Sequence, residues 1–475
     1  MWAHGFGLAG LGSHLTLPDA RRDAHRESAP LVSSPPMPGT QSGERGAGRG
    51  RPGKPKGREP DGAVVPTTGS ASESAAALLF TAFEPSGDAL AAPVIAALLE
   101  RRPGLKIYAV GGPKMEAAGA AIVERTDEGA AMGLGALSKA FAVAATTRRL
   151  RRWSKHYRVL CHVAVDSPAA NFPIARIMHR AGARVVHLAA PQLWAWGGWR
   201  IGKLRRLTSL VLCLLPFERR WFAERDVPAR FIGHPAMSRP LDETALERRA
   251  AALPRGAPKV VLLPGSRPGE VRANMGLLGR AYIELQGRHG GMAGVVVAAS
   301  PAMGELVRRA LPVFPNGLHM ISGSAVTDGI SGLDAAIRWA DLALAVSGTV
   351  TLDLTRQRTP MVGLYRTGVI SWLGAKVLLR TPWRLLPNII ARRAIVPEFV
   401  PHVGGAGPII EAAAHLMRDS RNLAQQSDEL ARIAQAYEGR DPGNEAAEAI
   451  LEVLGAAGAA APATAAPAKP AELPR

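Results

Sequence analysis

The sequence is short of three things, and each shortage excludes a class of protein. It has two cysteines in 475 residues, Cys161 and Cys213, both inside apolar runs. Two are too few for a disulfide framework or a zinc cluster, so both read as small buried hydrophobes in a reducing, cytoplasmic compartment. Aromatic residues make up 5%, against 47% hydrophobic residues in all. The core must therefore be built from Ala, Leu and Val, which suits packed sheets and helices better than an aromatic-rich barrel. Long apolar runs are missing too: none reaches the roughly 18–20 residues that span a bilayer. Met1 to Leu17 lacks a basic start and a sustained apolar stretch, and is not read as a signal peptide.

Acidic side chains are also in deficit, 39 against 58 Lys and Arg, for a net charge of +19. The excess gathers at Arg148, Arg149, Arg151, Arg152 and Lys155, and again at Arg200, Lys203, Arg205 and Arg206. Such clusters are either a solvated basic surface or an attraction to an anionic membrane or phosphorylated substrate. No zinc finger or aromatic RNA-binding signature accompanies them, so no nucleic-acid partner is expected.

Residues 1–75 are rich in Pro, Gly, Ser and Arg and read as a disordered extension; the Ala/Pro tail 456–475 reads the same way. Between them, short apolar runs alternate with helical patterns. The first set is Leu78–Ala82, Lys106–Val110, Val159–Val165, Arg184–Ala189, Leu210–Leu215 and Ala229–Ile232. The second is Val260–Leu263, Gly294–Ala298, Leu318–Ile321, Leu342–Val346 and Met361–Leu364. This predicts an α/β protein with two Rossmann-like domains, 76–240 and 255–400, facing a central cleft, followed by C-terminal helices over 401–455.

The chemistry-bearing elements lie at strand ends. Pro264-Gly265-Ser266-Arg267 closes a strand and is followed by Glu270: glycine admits a ligand close to the backbone, serine can donate, and arginine pairs with phosphate. Ser347-Gly348-Thr349 opens a helix after another strand, an anion-binding position, with Asp353 one turn on, in reach of a ribose hydroxyl. The alternative is that these residues only cap the helix. In the first half, Phe83-Glu84-Pro85-Ser86-Gly87-Asp88 follows the first strand and starts a helix; Ser86, Gly87 and Asp88 are candidates to hold an acceptor phosphate or line the cleft, and the segment is not a Gly-x-Gly-x-x-Gly fingerprint. Asp166 ends the run Val159–Val165 and is a candidate general base. Trp194 and Trp196 are candidates for stacking on sugar or touching acyl chains, or for packing between domains. His187, within a strand, reads as a satisfied core histidine, and His234 as structural.

Taken in order, these pieces resemble the lipid-A-disaccharide synthase family, from about Phe80 to Val400. The set is Pro85-Ser-Gly-Asp88, Val110-Gly-Gly-Pro-Lys-Met115, Met132-Gly-Leu134, Asp166-Ser-Pro168 with Asn171-Phe172, Trp194-Ala-Trp196, Leu215-Pro-Phe-Glu218, Phe231-Ile-Gly-His-Pro235, Leu263-Pro-Gly-Ser-Arg267, Ser347-Gly-Thr349 and Leu386-Pro-Asn388. The resemblance implies a GT-B, metal-independent, inverting transferase with no cofactor. It would move diacylglucosamine from UDP to diacylglucosamine 1-phosphate, forming a β(1→6) disaccharide at the inner face of the cytoplasmic membrane. It assigns Asp166 as base and Arg267 as a UDP-phosphate or active-site contact, and puts Ser347, Gly348, Thr349 and Asn388 on the nucleotide-sugar side.

The chain departs from the family pattern at several places. Asp-x-Pro-Asp-Phe-Asn is usual near the base, whereas Asp166-Ser-Pro168 is followed by Ala169-Ala170-Asn171-Phe172, read as loss of the second acid and a one-residue insertion. Phe83-Glu84 replaces Gly-Glu, Asp353 replaces a Glu, and Arg392 stands where glycine is usual. Two other readings stay open at this point: a UDP-N-acetylglucosamine 2-epimerase, and a catalytically silent binder of UDP-sugar or glycolipid.

Overall fold

The computed structural model describes residues 77–126, 136–366 and 381–459. The extension 1–75 and the Met132–Leu134 motif lie outside the described residues, as does the tail beyond Ala459.

The first half forms β1 (Ala77–Thr81), β2 (Lys106–Gly111), β3 (Ala121–Arg125), β4 (Val159–Val165), β5 (Arg184–Leu188), β6 (Leu210–Cys213) and β7 (Ala229–Phe231). They build one seven-stranded sheet in the order β3-β2-β1-β4-β5-β6-β7, with every neighbour parallel. The second half forms β8 (Lys259–Leu263), β9 (Ala293–Ala298), β10 (Leu318–Ser322), a small hairpin of β11 (Val326–Thr327) and β12 (Ile330–Ser331), then β13 (Leu342–Val346), β14 (Met361–Arg366) and β15 (Glu398–His402). Its six-stranded sheet runs β10-β9-β8-β13-β14-β15, again parallel throughout. Counted within each half, the order is the same 3-2-1-4-5-6 arrangement of a doubly wound fold.

The sequence makes these sheets for a simple reason. A parallel strand covered by helices on both faces must be apolar at every position, and β1, β9 and β13 are buried along their whole length. Many of the helices that follow begin with proline in the first turn, including Pro85, Pro168, Pro216, Pro268 and Pro301. There its missing N–H costs no hydrogen bond and its fixed φ suits the helix. Besides the small hairpin, two strands lie outside the sequence expectation, β3 and β15; they sit at sheet edges and are only partly buried. Their sequences, AIVER and EFVPH, carry at most three consecutive apolar residues, and Pro401 in β15 is tolerated because an edge strand has one unpaired side.

β15 crosses residue 400, where the sequence reading ended the second domain. The last helix, Pro442–Ala459, also departs from that reading. It lies on the first-half helix Pro85–Arg101 and buries Ala446, Ala447, Ala449 and Ile450 in the first core. Arg230 holds Glu452 with two hydrogen bonds of 3.0 and 2.8 Å, and Arg101 donates to Asn444 at 2.9 Å. The chain thus returns to its first sheet to complete that core. The halves also meet in a small apolar cluster of Phe231, Met237, Leu352, Leu386, Ile433 and Tyr437.

Candidate functional site

In each sheet the connections reverse direction at one place, between β1 and β4 and between β8 and β13. In folds of this kind the loops leaving the carboxyl ends of two such strands diverge and open a crevice, the usual ligand position. Asp166 and the Ser86–Asp88 turn stand at the first reversal. The Pro264–Arg267 and Ser347–Thr349 turns stand at the second.

At the first, Gly87 lets the helix start press on the strand ends: a Cβ there would lie 3.0 Å from the Ala82 Cβ and 3.5 Å from Val165 Cγ1. Ser86 is exposed. Asp166 and Ser167 both adopt left-handed backbone, with φ of +46° and +36°, a conformation that costs a non-glycine residue roughly 1–2 kcal/mol. A set of hydrogen bonds holds it. The Asp166 N–H donates to Leu188 O at 2.9 Å, and Asn171 Nδ2 donates to Val165 O at 3.0 Å and Asp166 O at 2.8 Å.

These contacts also fix proton positions further back. Because Asn171 Nδ2 faces two carbonyls, its Oδ1 is the acceptor for Thr81 Oγ1, at 2.5 Å. Thr81, having spent its proton, accepts from His162 Nε2 at 2.8 Å. His162 is therefore the Nε2–H tautomer, and its Nδ1 is left without a partner. Burial, aided by His187, drives the His162 pKa down to about 3, so the ring stays neutral. Asn171 is the sixth residue counted from Asp166, the Asn of the Asp-x-Pro-Asp-Phe-Asn pattern. No residue is inserted; the changes are Ala169 and Ala170 for Asp and Phe. Burial raises the Asp166 carboxyl above its ordinary pKa; the Ser167 N–H opposes this and the Glu84 charge adds to it.

The second reversal is built differently. Gly265 has φ +109°, and a Cβ there would lie 2.6 Å from the Glu270 Cβ. Glu270 Oε2 accepts from the backbone N–H of Ser266 and Arg267 at 3.0 and 3.2 Å, and Oε1 accepts from Arg267 Nη1 at 2.8 Å. Glu270 thus shapes the turn and aims Arg267, whose side chain is 42% exposed. It was expected to touch substrate itself; its carboxylate is instead occupied. Beside it, Ser347 N–H donates to Leu364 O at 2.8 Å, and Gly348 O accepts from the Thr351 N–H and Oγ1 at 3.1 and 2.8 Å. The space beside Gly348 is open and Thr349 is exposed. Arg267, Ser266, Ser347, Gly348 and Thr349 can therefore present a guanidinium, hydroxyls and backbone N–H groups to an anion.

Other candidates from the sequence are spent on the protein. Asp88 accepts from the N–H groups of Gly112, Met115 and Lys114, each at 3.0 Å, and so ties the turn after β2 to the first helix. Asn388 is fully buried; its Nδ2 donates to Val396 O and Glu398 Oε2, both at 2.9 Å, and its Oδ1 accepts from the N–H groups of Ile395 and Val396 at 2.8 and 2.9 Å. With both amide protons and both lone pairs used, it staples its helix to β15 and has nothing left for a nucleotide. Asp353 lies 3.8 Å from Arg356, which also pairs with buried Asp334 at 2.7 Å. Burial pushes Asp353 up to a pKa of about 6, Arg356 works against this, and Asp334 adds to it. Arg239, from the segment joining the halves, grips Asp334 with two bonds of 2.8 Å.

Trp194 donates its Nε1–H to Glu218 at 3.0 Å and meets Phe217 edge to face, while Trp196 is covered on one face by Arg200 at 4.2 Å. Glu218 is buried, and that burial lifts its pKa to about 7 against the bonds from Trp194 and the Leu215 and Leu214 backbone. His187 is not the satisfied histidine expected: its Nε2 has no partner, and burial lowers its pKa to about 4. His234 caps the helix at Pro235, accepting from the Ala236 N–H at 3.1 Å. Both cysteines are free and buried. Among the described residues no hydrogen bond or ion pair joins Asp166 to Arg267.

The motifs do not mark Thr81 and His162 as parts of the first crevice, and Asn171 enters only by its place in a motif. Thr81 and His162 did leave a signal, as polar residues in otherwise apolar strands.

The chain is similar in sequence and fold to known proteins. A family model described as lipid-A-disaccharide synthetase matches residues 78–452. A lipid-A-disaccharide synthase of Pseudomonas putida (strain GB-1) is 33% identical over 388 residues, covering 78% of this chain and 96% of that protein. Another, from Azotobacter vinelandii, is 34% identical and covers 78% of this chain and 96% of its own length. Among solved structures, a glycotransferase of kitacinnamycin superposes with a TM-score of 0.50 at 16% identity, covering 80% of this chain and 98% of that one. That likeness bears on the fold alone, which is α/β GT-B. The match over both halves decides between transferase and epimerase: the chain belongs to the lipid-A-disaccharide synthetase family of glycosyltransferases.

Proposed function

We propose that the two crevices divide the work of one glycosyl transfer, with Asp166 as base at the first and Arg267 with Ser266, Ser347, Gly348 and Thr349 binding the diphosphate of a UDP-sugar at the second. The donor is UDP-diacylglucosamine and the acceptor diacylglucosamine 1-phosphate, as the family membership supports. Asp166 takes the proton of the acceptor's 6-hydroxyl as that oxygen attacks the anomeric carbon. The bond from that carbon to the UDP oxygen breaks, its electron pair leaves with UDP, and the configuration inverts. Charge gathering on the leaving diphosphate is met by Arg267 and the free N–H groups above Gly348. The acceptor's phosphate and the basic first half fit work at an anionic membrane surface, reached as a peripheral protein from the cytoplasmic side; among the described residues no helix is long and apolar enough to cross a membrane.

The observation that carries this reading is Asp166 itself, a partly buried carboxyl with a raised pKa, held on strained backbone at the strand reversal. The experiment supplies both lipid substrates and follows UDP and disaccharide together in wild type and Asp166→Asn. Disaccharide from wild type alone, with unchanged UDP affinity in the variant, supports the assignment. Equal turnover in both rejects Asp166 as the base, and UDP binding without any disaccharide rejects the transfer reading.

A further inference from the structure

Helices Pro168–Arg180 and Ile201–Leu207 stand beside each other in the first half and share an open cavity of about 530 Å³. Each helix presents a triplet at i, i+3 and i+4 to it: Arg176, His179 and Arg180 from one, Lys203, Arg206 and Leu207 from the other. That spacing puts each triplet on a single helix face. No carboxylate lines the cavity, and among the described residues none of the four Arg and Lys side chains forms an ion pair. Arg205, on the same short helix but facing away, does find an acid, Asp226 at 3.0 Å.

Helix dipoles do not explain this grouping. They favour His179, Arg180 and Arg206, which stand in last turns, but not Arg176 a turn earlier or Lys203 in a first turn, where a cation is disfavoured. The Lys203 ammonium lies 4.6 Å over the Phe172 ring. Burial lowers its pKa, and the charges of Arg176 and Arg200 lower it further. Cations have been crowded here without internal compensation.

We infer that this cavity is a second anion site, which takes a phosphate-bearing group between the guanidinium forks of Arg176, Arg180 and Arg206 and the ammonium of Lys203. Guanidinium groups pair with phosphate oxygens two at a time, and the cavity volume lies within the range of about 300–1,000 Å³ usual for ligand sites. The site is separate from the Asp166 crevice. At 1.5 Å per residue, Arg176 and Arg180 lie roughly 12–18 Å along their helix from its start beside Asp166. The phosphate could belong to an anionic lipid headgroup or to a soluble phosphate compound.

The test uses the full chain as wild type, as Arg176→Gln/Lys203→Gln and as Arg180→Gln/Arg206→Gln. Arg280→Gln/Arg309→Gln, at two exposed arginines of the second half, serves as a control that removes the same charge elsewhere. Binding is measured to inorganic pyrophosphate, with UDP saturating, and to phosphatidylglycerol/phosphatidylcholine vesicles. Both cavity variants are expected to keep the wild-type melting temperature and UDP affinity and to lose at least tenfold in affinity for one probe, while the control loses little. Loss with vesicles alone identifies a lipid headgroup, and loss with pyrophosphate a soluble phosphate. The inference is overturned if the control falls as far as the cavity variants, if the variants bind both probes like wild type, or if wild type binds neither.

Discussion

The two crevices have the same connectivity and opposite chemistry. At both, a turn follows the strand that ends at the reversal, and an acid stands nearby. In the second, Glu270 is consumed by two backbone N–H groups and a guanidinium, so it fixes a loop. In the first, Asp166 has no such cage, and burial raises its pKa. Topology decides where a ligand can sit; the local supply of hydrogen-bond donors decides whether a carboxylate there is spent as a brace or left free for the base role proposed for Asp166.

That contrast can be broken experimentally. The largest effect is expected for Asp166→Asn: turnover should drop roughly 10²–10⁴-fold, the usual share of a general base, with UDP affinity unchanged in a binding titration. A parallel loss of UDP affinity would mean the crevices do not divide the work.

Glu218 tests the cost of a buried carboxylate in the first half. Its folded pKa of about 7 exceeds its ordinary 4.5, so the native state holds an extra proton between those values. Its contribution to stability therefore falls as pH rises from 4.5 through about 7, and the full penalty applies above that. Glu218→Gln should remove this slope and gain on the order of 2–3 kcal/mol over wild type at pH 8 relative to pH 4.5. Denaturant melts at both pH values measure it; parallel curves would contradict the shift.

Arg267→Ala should weaken UDP binding about tenfold to a hundredfold, the worth of one charge-assisted contact, and leave the acid limb of the pH–rate profile in place. Should that limb move instead, Arg267 would belong to the first crevice's chemistry.

The smallest effect is expected for Thr81→Val. It leaves Asn171 Oδ1 and His162 Nε2–H unpartnered, at a cost of about 1–3 kcal/mol in stability. By loosening the Asp166 backbone it should lower kcat more than it raises the donor's KM. Thr81→Ser keeps the hydroxyl and should restore both. Nitrogen NMR shifts of His162 should report the Nε2–H tautomer in wild type; a protonated Nδ1 would reverse the proposed direction of the chain.

The sequence was legible where burial is uniform. Eleven apolar runs, from Leu78–Ala82 to Met361–Leu364, fall on strands within a residue or two, because a strand sandwiched between helices has no polar side to show. β3 and β15 were illegible for the opposite reason: half-exposed edge strands need no apolar run. Glycine-like positions were legible in part. Arg392, noted as standing where glycine is usual, closes its helix with φ +54°, the left-handed cap that glycine fills at least strain.

By itself, then, the sequence determined the fold class, the two strand sets and the family, since each follows from local periodicity or from motifs in fixed order. Only the tertiary structure decided which polar residues remain available. Asp88, Asn388 and Glu270 resemble ligands in one dimension because Asp, Asn and Glu serve equally as binders and as braces. Which role each takes depends on N–H groups brought to it from elsewhere in the fold: Gly112 and Met115 for Asp88, Ile395 and Val396 for Asn388. Thr81 and Asn171, 90 positions apart, act on the Asp166 loop together only because β1 and β4 are neighbours in the sheet.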